Sequence, residues 1–307
     1  MGPAGHTTEK GSAVGGQRQE RWTRSRVRLR LAASGAGRWN WLFVPGGPGM
    51  GSQSLQGLVE AVRVPGSVWL VDLPGDGSNR VLPDVPDPYA HWPDVLVEAA
   101  QALDDVVMVG HSTGGMFMLS VPELEAHLAG VALVSSAPHA GWRTAFAQYA
   151  QDNPIPAVDT AAAHYAEYPN DPNLRTLTLA AAPWSFGEQV LTQGRSLLEG
   201  LSYNHDAVAW ADTHFDDTYQ ARWTPRTVPT LIVSGARDHV VTQHLWQDEP
   251  AFTRPNILHR QIEGAAHFPW IENPEAVRAA FTDLTDRLNN PTNRTITHHE
   301  RSAGRER

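Results

Sequence analysis

A serine flanked by glycines two residues away on each side, Gly110-His111-Ser112-Thr113-Gly114, directly follows the apolar run 106–109. Strand, sharp turn and helix in that order would hold the Ser112 hydroxyl above a sheet, and the glycines remove side chains that the turn would strike. A serine hydroxyl is a poor nucleophile until a base takes its proton and a carboxylate orients that base. The pattern therefore asks for an acid after a later strand and a histidine in a loop beyond it. Asp238 meets the first requirement, five residues past the apolar run 230–233, and His267 meets the second, in a short loop before the last amphipathic segment. The stretch after the apolar run 130–134 reads Ser135-Ser136-Ala137 and supplies no competing carboxylate. His239 adjoins Asp238, but neighbours along an extended segment point apart, so it reads as a wall residue. His111 reads as a packing or lining residue rather than as the base. Acyl transfer also needs two donors for the developing oxyanion. The backbone N–H of Thr113 is one candidate, and the N–H of Gly47, in the loop Pro45-Gly46-Gly47-Pro48-Gly49-Met50-Gly51, is the other.

Short apolar strands alternating with amphipathic helices must position these residues. Residues 26–31 alternate Arg with Val and Leu, the signature of a strand with one wet face. Apolar runs at 41–44, 67–73, 106–109, 130–134 and 230–233 read as further strands, with helices over 91–103, 113–127 and 274–288. Pro122 should break or kink the second of these helices. This rhythm indicates a mainly parallel sheet covered on both faces. It lapses between about 138 and 225, a helical, aromatic-rich stretch carrying Trp142, Trp184, Trp210 and Trp223. Such an insertion reads as a lid above the strand ends, where a substrate pocket would lie.

The chain has 307 residues, no cysteine and a formal charge of −9. Its length supports one large domain, and its charge argues against nucleic acid as the main partner. Without cysteine there is no disulfide, thiolate metal site or cysteine nucleophile. Residues 1–26 carry a net of +3 and residues 291–307 a net of +2 on an otherwise acidic body. Residues 1–21 and 291–307 are expected to be disordered basic tails. No apolar run spans a membrane and residues 1–19 lack the apolar core of a signal peptide, so a cytoplasmic protein without a membrane partner is expected.

Five motifs in order resemble the α/β-hydrolase superfamily. They are Pro45-Gly46-Gly47-Pro48-Gly49, Asp72-Leu73-Pro74-Gly75-Asp76-Gly77, Gly110-His111-Ser112-Thr113-Gly114-Gly115, Gly235-Ala236-Arg237-Asp238, and His267-Phe268-Pro269-Trp270-Ile271-Glu272-Asn273-Pro274. The resemblance spans about residues 22–290. It implies an α/β fold with a mainly parallel eight-stranded sheet, helices on both faces and a mostly helical cap after the sixth strand. Core segments 22–137 and 226–290, a cap at 138–225 and a Ser112–His267–Asp238 triad follow from it. The loop at 46–49 also resembles that of the proline iminopeptidase group. That group usually begins the loop with His and has Gly-Gly-Ser-Trp-Gly at the nucleophile, whereas this chain has Pro45 and Gly-His-Ser-Thr-Gly. The turn Asp76-Gly77-Ser78-Asn79 reads as structural.

The expected activity is hydrolysis of a small-molecule carboxylic ester through an acyl-enzyme, with no metal or organic cofactor. An iminopeptidase-like aminopeptidase is the alternative, for which acids such as Glu167, Glu188 or Asp206 could bind a substrate amine, although such acids usually face solvent. A non-catalytic ligand-binding scaffold, and a lyase or C–C hydrolase using the same three residues, also fit the fold.

Overall fold

The computed structural model describes residues 19–80 and 87–290. The expected tails therefore lie outside the described residues, apart from 19–21. Glu20–Trp22 forms strand β1, which starts inside the segment expected to be tail. Seven further strands follow: β2 (Arg28–Ser34), β3 (Asn40–Val44), β4 (Ser67–Asp72), β5 (Val106–His111), β6 (Gly130–Val134), β7 (Thr230–Gly235) and β8 (Ile257–Ile262). They form one eight-stranded sheet in the order β1-β2-β4-β3-β5-β6-β7-β8. β1 pairs antiparallel with β2 and β2 with β4, and every pairing from β4 to β8 is parallel.

Two-residue periodicity divides the core between the two faces of the sheet. Trp41, Phe43, Val107 and Val109 point to one side, where Leu55, helix α1 (Gln56–Val62) and the C-terminal helix Pro274–Asn289 cover them. Leu42, Val44, Val106 and Met108 point to the other, beneath α2 (Trp92–Gln101) and α3 (Thr113–Leu119). Central strands buried on both faces are apolar throughout, which is why they stand out in the sequence. Asn273 caps the C-terminal helix through Ala276 N–H at 3.2 Å, with Pro274 at its first position. The helix expected over 113–127 ends at Leu119, and Pro122 opens a separate 3₁₀ segment to Ala126.

The strand of alternating Arg is not wet on its polar face. Arg28 and Arg30 ion-pair with the buried Asp72 at 2.9 and 2.7 Å, because the antiparallel register sets Arg28 opposite Asp72.

Six helices separate β6 from β7: α4 (Gly141–Asp152), α5 (Pro156–Glu167), α6 (Asp171–Ala180), α7 (Ala182–Ser185), α8 (Leu191–Glu199) and α9 (His205–His214). An isolated antiparallel bridge between His139 and Gln220 ties the two ends of this insertion together. After β7 come α10 (His244–Gln247), α11 (Pro269–Glu272) and the C-terminal helix, α12. No helix of the described residues is long and apolar enough to cross a membrane.

Candidate active site

Ser112 stands between β5 and α3 with φ 50° and ψ −125°, a strained conformation for a residue other than glycine. Neighbouring backbone over-determines it. Ser112 N–H donates to Val134 O at 2.9 Å, and its carbonyl accepts from Gly115 N–H at 3.0 Å. The flanking glycines are there for space. A Cβ on Gly110 would lie 2.5 Å from Gly115 Cα, and one on Gly114 would lie 2.4 Å from Pro45 O. Ser112 is 8% exposed and His267 6%, so the site is almost closed.

Asp238 follows β7 in a loop that turns its carboxylate inward. Oδ1 accepts from Val240 N–H at 3.0 Å and Val241 N–H at 2.9 Å, and Oδ2 lies 3.0 Å from His267 Nδ1. A carboxylate held by two backbone donors has little rotational freedom, so its second oxygen fixes the imidazole. That contact selects the tautomer with a proton on Nδ1 and a free lone pair on Nε2. The Ser112 hydroxyl makes no hydrogen bond to His267 among the described residues; such contacts often tighten only when a substrate is bound.

The glycine loop after β3 passes against the serine. A Cβ on Gly46 would meet both Ser112 Cβ and His111 O at 2.7 Å. Gly47 adopts φ 120°, open to glycine but not to a residue with a side chain, and Thr113 Oγ1 donates to Gly47 O at 3.2 Å. The two residues expected to supply oxyanion donors are thus joined. Thr113 N–H, first in its helix, has no intrahelical acceptor.

Neither competing histidine hydrogen-bonds Asp238. His239 is exposed and stacks on Tyr149 with ring centroids 4.1 Å apart. His111 is buried, packed edge-on against Trp270, with Nε2 3.2 Å from His267 O. Burial drives its pKa well below the usual imidazole range, and the neighbouring His267 pushes the same way. His111 therefore stays neutral and braces the histidine loop.

Residues 32–280 match the profile of the alpha/beta hydrolase family over most of the chain. The chain belongs to that family. The pimeloyl-[acyl-carrier protein] methyl ester esterase of Xylella fastidiosa (strain M12) is 27% identical over 240 residues, covering 73% of this chain and 86% of that protein. A proline iminopeptidase-related protein of Thermus thermophilus superposes with a TM-score of 0.64 at 19% identity, over 89% of this chain and 98% of its own. A thermophilic esterase from Thermogutta terrifontis gives a TM-score of 0.64, also at 19% identity, over 89% and 99% of the two chains. These structural likenesses speak to the fold alone.

Two carboxylates within the motifs of the resemblance, Asp76 and Glu272, are buried on backbone donors, which their place in the motifs does not reveal. Asp76, expected to be part of a plain turn, is 1% exposed, and its Oδ1 accepts from Gly77 N–H at 2.8 Å. Burial raises its pKa to about 7; nearby Asp72 adds to this, while hydrogen bonds from Gly77 and Gly49 oppose it. An unfolded Asp titrates near 4, so folding here favours the protonated acid. That contribution is complete below about pH 4 and is lost as pH rises through 7. Asp76→Asn, which keeps an oxygen for Gly77 N–H, is expected to gain on the wild type between pH 5 and pH 8. The gain should be about 2–3 kcal/mol in urea unfolding free energy. An offset equal at the two pH values would rule out this titration.

Proposed function

We propose that this chain is a serine hydrolase that cleaves a small-molecule carboxylic ester by acyl transfer. The observation that carries this reading is the Asp238–His267 contact, fixed by two backbone donors, at the C-terminal ends of the parallel strands where Ser112 is held in its strained turn. Ser112 Oγ attacks the ester carbonyl while His267 Nε2 takes its proton and Asp238 stabilises the resulting imidazolium. Gly47 and Thr113 N–H bind the oxyanion. Collapse of the tetrahedral adduct expels the alcohol, which takes the proton from His267. Water then attacks the acyl-serine with the same base, releasing the acid and restoring Ser112.

The insertion at 138–225 acts as the cap that selects the substrate. Along α4, Trp142, Phe146 and Tyr149 share one helical face and are only half buried. Trp142 packs against the buried cluster of Met116, Ala137, Tyr219 and Val241, and Tyr149 stacks on His239 beside Asp238, so this stripe lies along the acid loop. It offers an aromatic wall to an acyl or alcohol group.

Residues 138–225 contain ten Asp or Glu against four Arg. An anionic cargo would be repelled at such a cap. We therefore assign a small neutral or cationic ester. The aminopeptidase alternative has less support. Glu167, Glu188 and Asp206 are all exposed, and the buried acid of the cap, Asp216, faces Arg143 at 3.4 Å.

Nitrophenyl esters of two to eight carbons, assayed beside proline nitroanilide, test the assignment. The esters are expected to turn over at least about 100-fold faster in kcat/KM, a difference of about 2.7 kcal/mol in transition-state stabilisation. Faster cleavage of the anilide would reverse the two readings.

A further inference from the structure

One carboxylate joins the three segments that meet behind His267. Glu272 closes α11, and its side chain is only 5% exposed. Its Oε2 accepts from Ala266 N–H, the residue before His267. Its Oε1 accepts from Gly187 N–H, in the insertion, at 2.9 Å. Arg237, the residue before Asp238, brings Nη2 to 3.8 Å from the same oxygen and also donates to Gly264 O. The insertion touches the histidine directly as well, since His267 N–H donates to Ser185 O at 3.2 Å. Between these two hydrogen bonds, Phe186 stacks on Phe268 with centroids 4.7 Å apart. Phe186 fits because Gly194 has no side chain: a Cβ there would lie 2.5 Å from the ring.

We propose that Glu272 is a positioning residue that couples the seat of the cap to the histidine loop, so that His267 is aligned only when residues 185–187 are docked. A carboxylate accepting one N–H from each side links two backbones that share no covalent neighbour. Moving either donor draws the oxygens away from the other. Withdrawal of the cap therefore loosens Ala266 and with it the backbone that carries the imidazole. The proposal rests on His267 being the base of the proposed reaction.

Two substitutions address the same carboxylate from opposite sides. Glu272→Gln keeps the size but replaces one acceptor with an amide that cannot receive an N–H. Gly187→Ala lies in the cap, away from Ser112 and His267. Gly187 has φ −66° and ψ 155°, which any residue adopts, so the backbone is not strained. The new methyl would nevertheless stand 2.6 Å from Glu272 Oε1 and displace it.

The readouts are kcat and KM for a nitrophenyl ester, normalised to serine sites titrated with a fluorophosphonate. They are paired with hydrogen exchange at the Ala266 amide. Each single variant is expected to lose roughly 10- to 100-fold in kcat, the scale of a small misplacement of a catalytic group. KM should change much less, and Ala266 exchange should quicken. The double variant should be no worse than Glu272→Gln alone, because both act through one side chain. Losses that multiply, or unchanged kcat and exchange in Gly187→Ala, would overturn the coupling. If Glu272→Gln does not fold, Gly187→Ala decides by the same readouts. A wild type that takes no fluorophosphonate would count against the serine-hydrolase reading itself, a different result from labelled variants with unaltered kcat.

Discussion

Ser112→Ala is expected to lower kcat for ester hydrolysis by about 10⁶-fold, the scale of losing the nucleophile of a catalytic triad. The fold should survive. Ser112 holds its place through main-chain bonds, N–H to Val134 O and carbonyl to Gly115 N–H, and neither uses the hydroxyl. Its positive φ is a property of the turn, and alanine experiences that strain as serine does. Intact-mass labelling with a fluorophosphonate gives the direct comparison: one adduct on the wild type and none on the variant. An adduct on the alanine variant would place the nucleophile elsewhere. Activity within tenfold of wild type would remove Ser112 from the mechanism.

The second large effect is expected at Asp238. In Asp238→Asn the carbonyl oxygen can still accept from Val240 and Val241 N–H, so the loop keeps its shape. The amide then presents N–H to His267 Nδ1, where the carboxylate presented an acceptor. His267 can meet it only in the tautomer whose proton sits on Nε2, the nitrogen that must take the serine proton. The expected result is a loss of about 10⁴-fold in kcat near neutral pH with the thermal midpoint little changed. Fluorophosphonate labelling should slow in parallel, since it uses the same activated serine. A variant keeping a tenth of wild-type kcat would show that Asp238 does not govern the tautomer.

The two effects differ because the residues do different work. Ser112 forms the covalent bond, whereas Asp238 acts only through His267. A non-catalytic scaffold with the same fold would show neither effect.

Much of the candidate site is legible in the sequence, and the reason is local. The turn around Ser112 needs small neighbours within two residues, and Gly110 and Gly114 stand there because backbone atoms lie 2.4–2.5 Å from where their Cβ atoms would be. The central strands were legible because burial on both faces demands unbroken apolar runs. The two strands at the edges of the sheet were not. β8 carries His259, Arg260 and Gln261 in its middle, and β1 is three residues long and exposed. An edge strand pairs on one side only and need not be apolar, so composition marks it weakly.

The turns and the buried strands are written in the residue pattern, since each depends on neighbours a few residues away. Which charged side chains are paired is a matter of tertiary packing. Asp72 meets Arg28 through antiparallel register, 44 residues away in sequence. Glu272 meets Gly187 across 85 residues. Hydropathy patterns specify which face of an element is buried, and they carry no information on which distant backbone donor will arrive there. A buried carboxylate such as Asp76 or Glu272 therefore looks in sequence like any solvent-facing acid. The packing of the cap against the core supplies the partners that set it apart.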